Sequence, residues 1–209
     1  KSTIKEIRER FDKDVERFSN LETGQVSTID ATLSLELITE SASRINPQAK
    51  RLCDIGCGAG NFTLKMLSKL PGLDCTLLDL SKPMLDKAYE RVSGETKGEV
   101  IVIQGDIRNV VLQNDHFDII LAGAVLHHLR DDSEWEFVFA KLFKMLCPGG
   151  CLMISDLVCE DSDILNTFMF EKYGDYLDKI GGTGYKLKVF DYINKEDSPK
   201  SLFYQLVLM

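Results

Sequence analysis

An apolar run, an acidic residue and three alternating glycines follow one another in "RLCDIGCGAGNFTLKML", residues 51–67. No other stretch restricts the fold as much. "RLCDI" (51–55) reads as a buried strand, and "NFTLKMLSKL" (61–70) has helical periodicity. Glycines at 56, 58 and 60 strip the connection of Cβ atoms, so its backbone can turn sharply and pass within contact distance of a ligand. A strand entering its helix through such a turn is the first unit of a parallel α/β sheet.

The chain keeps that rhythm. "DCTLLDL" (74–80), "EVIVIQGD" (99–106), "FDIILAGAV" (117–125) and "CLMISDL" (151–157) are short, nearly continuous apolar strands. Between them lie helical patterns at "KPMLDKAYERV" (82–92), with Ser81 as cap and Pro83 in its first turn, and at "DSEWEFVFAKLFKML" (132–146), stopped by "CPGG". The expected fold is α/β: a doubly wound, mainly parallel sheet covered on both faces, with right-handed crossovers.

At 209 residues the chain is expected to form one domain. Residues 1–48 carry helices: Ile4, Ile7, Phe11, Val15 and Phe18 fall at helical spacing, and a second helix is expected from Thr28 to Ile45, ended by Pro47. Residues 50–157 form the ligand-binding core. Residues 158–197 make a long aromatic excursion, two helical stretches hinged by "GGTGY" (181–185), expected to cap the site. A core helix opens at Ser198-Pro199 and is still in an apolar pattern at Met209, so the chain is expected to be incomplete there.

Composition narrows the partners. A net charge of −8 argues against a large nucleic-acid footprint. No apolar run approaches ~18 residues and the N-terminus lacks the core of a secretion signal, so no membrane partner and a cytoplasmic location are expected. The six cysteines form no CxxC pair and have no histidine at metal spacing, so no metal is expected and the thiols read as reduced packing residues. A homodimer stays open.

The glycine spacing is GxGxG, with Asp54 two residues ahead of Gly56. A carboxylate there would repel the pyrophosphate of a dinucleotide and attract an ammonium group. Asp79 ends the second strand, 23 residues after Gly56, where an acid can accept hydrogen bonds from both ribose hydroxyls. Asp106 ends the third strand and can take the exocyclic amine of an adenine. Successive strand tips thus read an amino-acid end, a ribose and a base.

Taken together, "DIGCGAGNF", "LLDLSKPML", "QGDI", "FDIILAGAVLHHL" and "LCPGG" resemble the class I S-adenosylmethionine-dependent methyltransferases, in order and spacing, over about residues 50–157. The resemblance implies a Rossmann-like fold, S-adenosylmethionine as cofactor and S-adenosylhomocysteine as product. It implies that Asp54, Gly56 and Gly58, with Cys57 inside the loop, border the methionine part. Asp79 would bind the ribose, and Leu80 and Met84 would pack near the adenine. Asp106 would hold the adenine amine with Ile107 against the ring, and Ala122 and Gly123 would border the sulfonium and its methyl. More distantly, "RFDKDVERFSN", "VLHHL" and the helical cap are similar to the branch containing carboxy-S-adenosylmethionine synthases of transfer-RNA wobble-uridine modification. In that branch a cap arginine pairs with the extra carboxylate, and this chain has no arginine after Arg130.

The expected activity is methyl transfer to an O, N or C nucleophile of a small-molecule acceptor. The alternatives are an enzyme using or forming carboxy-S-adenosylmethionine, a nicotinamide-dependent oxidoreductase, and a module that binds cofactor without turnover. "AGAV" stands where many methyltransferases of exocyclic or amide nitrogen carry Asn/Asp-Pro-Pro-Tyr/Phe, which disfavours those acceptors. His127 either lines the pocket or serves as a base, or else one of His127 and His128 caps a helix and the other is solvated. Asp156 touches substrate or caps a helix, and Asp118 is a structural strand-start residue. Tyr173, Tyr176 and Tyr185 pack the cap or cover the substrate, where their faces could stabilise a sulfonium. Arg17 and Phe18 belong to a helix that would close over the cofactor.

Overall fold

The computed structural model describes residues 1–20 and 24–209. Strands β1 (Arg51–Ile55), β2 (Asp74–Asp79), β3 (Val100–Gln104), β4 (Phe117–Gly123) and β5 (Leu146–Ser155) form one sheet in the order β3-β2-β1-β4-β5. Every neighbouring pair is parallel. The connections leave β1 in opposite directions toward β2 and β4, and a crevice at that switch point, above the strand C-termini, is where such sheets hold ligands.

The alternation of side chains along a strand sorts β1 to two faces. Leu52 joins Leu77, Ile119 and Leu121 under α3 (Ala31–Ile45), α4 (Asn61–Leu67) and α5 (Lys82–Ser93), which contribute Leu35, Met66, Leu85 and Val92. Cys53 and Ile55 join Leu78, Ile120 and Ala122 under α6 (Asp132–Met145), which contributes Trp135, Val138, Phe139 and Leu142. Each large side chain sealed in these layers stabilises the fold by about 1.5–3 kcal/mol relative to exposure. Asp54 shares the face of Leu52, so the pleat alone aims it at α4. At the foot of the sheet Asp118 accepts hydrogen bonds from the Lys50 and Arg51 amides at 2.8 and 2.9 Å, the structural role its position suggests.

Several boundaries differ from the sequence pattern. The N-terminal periodicity is split into α1 (Ile4–Phe11) and α2 (Val15–Ser19), because the chain folds back so that the Phe11 and Phe18 rings pack 5.5 Å apart, tilted by 50°. Helix α3 opens at Ala31 rather than Thr28, since Asp30 is left-handed with φ 51° and cannot continue a helix backwards. Strand β5 starts at Leu146, not Cys151. Leu146 pairs with Phe117, "CPGG" forms an irregularity with Gly149 at φ 81°, and regular pairing resumes at Ile119 and Cys151. The excursion is α7 (Asp163–Glu196), two helices meeting at Gly182 with φ 75°, inside the glycine hinge. Helix α8 (Leu202–Leu208) opens after Ser201, whose hydroxyl accepts the Tyr204 amide. Among the described residues no helix is long and apolar enough to cross a membrane.

Candidate functional site

The β1–α4 turn holds Gly56, Gly58 and Gly60 at φ 65°, 51° and 82°, all left-handed. Two of them are packing glycines. A Cβ on Gly56 would lie 2.5 Å from Val125 Cγ2, and one on Gly60 3.1 Å from Val92 Cγ2. A Cβ on Gly58 would meet nothing within 4 Å. Its bare Cα therefore faces open space above the sheet, the side from which a ligand would approach.

Asp79 fixes this turn. One carboxylate oxygen accepts the Gly58 amide and the other the Ser81 amide, both at 2.8 Å. Burial pushes its carboxyl above the ordinary value, and these backbone donors pull against that rise. Asp54 is 1% exposed and accepts a hydrogen bond from Thr63 Oγ1 at 2.7 Å, anchoring the first turn of α4, whose cap Gly60 supplies no side chain. Burial raises the Asp54 carboxyl to about 7; Thr63 counters that, and the nearby charge of Asp79 adds to it. Cys57 donates its amide to Leu78, and burial pushes its thiol up, which makes it a packing group and not a nucleophile.

Beyond Asp79 an open groove of about 500 Å³ crosses the tips of β2 and β3, lined by Ile4, Lys5, Arg8, Leu80, Gln104 and Gly105. Asp106 adjoins it. Its carboxylate takes three donors of Arg108, the amide and Nε at 2.9 Å each plus Nη2, and Glu134 braces Arg108 from α6. Burial tends to raise the Asp106 carboxyl, but Arg108 outweighs it and holds it below the usual range. Met84 and Ala122 lie fully inside the core, and Ile107 is 8% exposed. Gly123 lies under the Phe62 ring, so close that a Cβ would stand 2.6 Å from it.

The N-terminal hairpin closes over this edge. Asn61 Nδ2 donates to the Phe18 carbonyl at 2.7 Å, and Arg91 braces Asn61 at 2.9 Å. Asp12 raises the carboxyl of Asp79 by its charge, yet its own Oδ1 is buried without a hydrogen bond. An acid close enough for its charge to act on Asp79, with one oxygen left without a donor, suits a ligand with hydroxyl or ammonium donors.

Strand β4 exits into a 3-10 turn, Leu126–His128, held by Asp156 at the tip of β5. Asp156 Oδ2 accepts the amides of Val125, Leu126 and His127 at 3.3, 2.6 and 3.3 Å, and Oδ1 pairs with His127 Nδ1. The cap role of Asp156 is thus the realised one. His127 Nε2 turns toward Asp197, 3.7 Å away, and His128 Nδ1 lies 3.2 Å from the same oxygen. Burial opposes charge on His127, but Asp156 and Asp197 bring its pKa out above the ordinary value; burial leaves His128 below it.

The cap tyrosines spend their hydroxyls locally. Tyr173 donates to Ser27 at 2.9 Å and Tyr176 to Val26 at 2.8 Å, docking α7 on the segment before α3. Burial pushes Tyr173 to about 12. Tyr185 is half-buried beside Gly181. Thr63, Phe62, Arg108, Asp12 and Asp197 were not foreseen. Only Phe62 and Thr63, directly behind the glycines, sit where a local reading could have found them.

Residues 52–150 match the family described as "Methyltransferase domain". A malonyl-[acyl-carrier protein] O-methyltransferase of Halalkalibacterium halodurans is 33% identical over 124 residues, 58% of this chain and 44% of its own length. A carboxy-S-adenosyl-L-methionine synthase of Aeromonas salmonicida is 27% identical over 138 residues, 65% of this chain and 55% of its own. The chain thus spans about half the length of these curated relatives. Among solved structures, the YcgJ protein of Bacillus subtilis superposes with a TM-score of 0.60 at 20% identity, over 85% of this chain and 66% of that one, which shows the shared fold.

Proposed function

We propose that this chain, whose residues 52–150 match a methyltransferase domain, is a class I S-adenosylmethionine-dependent enzyme that transfers the methyl group of S-adenosylmethionine to a nucleophilic O, N or C atom of a small acceptor. The observation that carries this reading is the unobstructed Cα of Gly58, whose amide is tied to Asp79. A dinucleotide pyrophosphate would meet three carboxylates there. An adenosyl amino acid meets acceptors for its ammonium and its ribose.

The residues present fit that cofactor. Asp54 and Asp79 supply negative charge beside the glycine turn, Leu80 and Gly105 line the groove at the base end, and Phe62 and Gly123 mark the methyl end. The sulfonium, when bound, is itself the reactive methyl donor. The protein's task is to bring a nucleophile in line at about 3 Å and to exclude water. The Phe11–Phe18 hairpin and the α7 cap serve that exclusion. Acceptors already ionised, such as a carboxylate, require no base; the malonyl relative bears such an acceptor in its name.

A second reading is supported by the carboxy-S-adenosyl-L-methionine synthase relative. Against it stands the cap, since residues 158–197 contain no arginine to pair with an added carboxylate. Calorimetry with S-adenosylmethionine, its carboxy form and NAD separates the readings. Binding of S-adenosylmethionine, with S-adenosylhomocysteine appearing on incubation with carboxylate, hydroxyl and amine acceptors, is expected. Binding of NAD alone would overturn the proposal, and preference for the carboxy form would move it to the second reading.

A further inference from the structure

His127, His128 and Asp197 bring buried ligand atoms to one point, and we infer that they form a binding site for a divalent metal ion of the zinc class. One atom from each lies within 4.8 Å of the others. Both ring nitrogens of His128 and Oδ1 of Asp197 are buried without a hydrogen bond. Native interiors hold few buried polar atoms without a hydrogen bond. Here they adjoin one another: Asp197 Oδ1 stands 3.2 Å from His128 Nδ1 and 3.7 Å from His127 Nε2. A tetrahedral ion with bonds of about 2.0–2.2 Å sets its ligand atoms about 3.3 Å apart. Two of the three separations are near that value, and the third lies within 4.8 Å.

The surroundings are built as a metal's outer shell is built. A ligating histidine gives its second ring nitrogen to a carboxylate, which fixes the ring and raises its basicity. His127 does this through Nδ1 to Asp156, leaving Nε2 for the ion, and Asp156 is itself held by the amides of Leu126 and Leu157 at 2.6 and 2.7 Å. The two histidine rings lie 4.3 Å apart, tilted by 58° to each other, close enough to serve one centre. The segments that supply the ligands are locked together by the Ser198 amide donating to the His127 carbonyl at 2.7 Å. Two imidazoles and one carboxylate suit Zn²⁺, Co²⁺ or Fe²⁺ and not the all-oxygen demand of Ca²⁺ or Mg²⁺.

Three protein ligands leave a position open for a further oxygen or nitrogen donor. The site lies four residues beyond Gly123 in the chain, at the exit of β4. An acceptor hydroxyl or carboxylate could enter that position. The inference rests on side-chain geometry and holds whether or not the methyl-transfer reading does.

The test is equilibrium dialysis of the whole chain against Zn²⁺, Co²⁺ and Mg²⁺ in the absence of any nucleotide. One equivalent of Zn²⁺ or Co²⁺ and none of Mg²⁺ is expected. His128→Ala and Asp197→Asn should each lose binding, and Asp156→Asn should weaken it about 10–100-fold. Circular dichroism and S-adenosylmethionine affinity serve as controls for folding. X-ray absorption on the zinc-loaded unaltered chain should show two imidazoles and oxygen ligands, a readout that needs no variant to fold. The inference is overturned by absence of stoichiometric Zn²⁺, by variants that bind like the parent, or by sulfur in the first shell, which would assign the ion to the cysteines.

Discussion

Asp54 sits inside an apolar strand, touching Thr63 and little else that is polar, and this isolation makes it a proton switch near neutrality. Its carboxyl is raised by burial from 3.8 to about 7. Between those values the folded chain keeps a proton that the unfolded chain has released. This group's contribution to stability is therefore full below pH 4 and is lost as pH rises toward 7. Cofactor binding runs the other way, because an ammonium group favours the ionised carboxylate. Below pH 7 binding must expel the proton, so affinity for S-adenosylmethionine should fall up to tenfold per unit as pH drops from 7 to 5. Calorimetry at pH 6 in buffers of different ionisation enthalpy should register release of up to one proton. Asp54→Asn should bind more weakly at pH 8 with that pH dependence flattened. An unaltered proton release in Asp54→Asn would place the switch elsewhere, on Asp79, whose carboxyl burial also raises.

The β1–α4 turn shows how far a local reading reaches at the scale of an element. Strand, glycines and helix were legible because each signal lies within a few residues: apolar run, missing side chains, helical period. The acids at three strand tips were legible for the same reason. What braces their surroundings from a distance was not, since Arg108, the partner of Asp106, is held by Glu134, 26 residues away, and Asp197 meets His128 across 69 residues. Nor does GxGxG distinguish its glycines. All three are left-handed, a conformation that costs about 1 kcal/mol or more for a residue with a Cβ, but only Gly56 and Gly60 are also hemmed in. Gly56→Ala should therefore lower the denaturation midpoint strongly, as the added methyl displaces Val125. Gly58→Ala should cost only the left-handed strain, about 1 kcal/mol or a few degrees of melting temperature, and reduce cofactor affinity at least tenfold, because its methyl would occupy the open approach. Equal loss of stability in both variants would mean that Gly58 serves the turn and not a ligand.

Across the whole molecule, the N-terminal hairpin and the end of α7 join into one cover. Arg10 of α1 pairs with Glu196 at the end of α7 at 2.9 Å and donates to Tyr192, while the Ser2 amide donates to the Lys195 carbonyl at 2.9 Å. Arg130 fastens both ends to the core through the carbonyls of Ser2 and Glu196. The hairpin that lies on the glycine turn is therefore mechanically continuous with α7, which ends at Glu196 just before Asp197. A ligand entering above Gly58 must loosen both together, and a bound one should tighten both. Hydrogen exchange should show residues 4–20 and 186–198 opening as one unit, more readily than β1 and β4, and gaining protection in parallel when S-adenosylmethionine is added. Glu196→Gln removes the charge that Arg10 leans on while keeping its shape. Because Arg10 is 27% exposed, the loss should be about 1–2 kcal/mol, below that of a sealed pair. The variant should speed exchange in both segments and weaken cofactor binding several-fold, with the sheet unchanged. Faster exchange confined to α7 would show that the cap moves alone and that the hairpin, held by Asn61, is the only gate over the glycine turn.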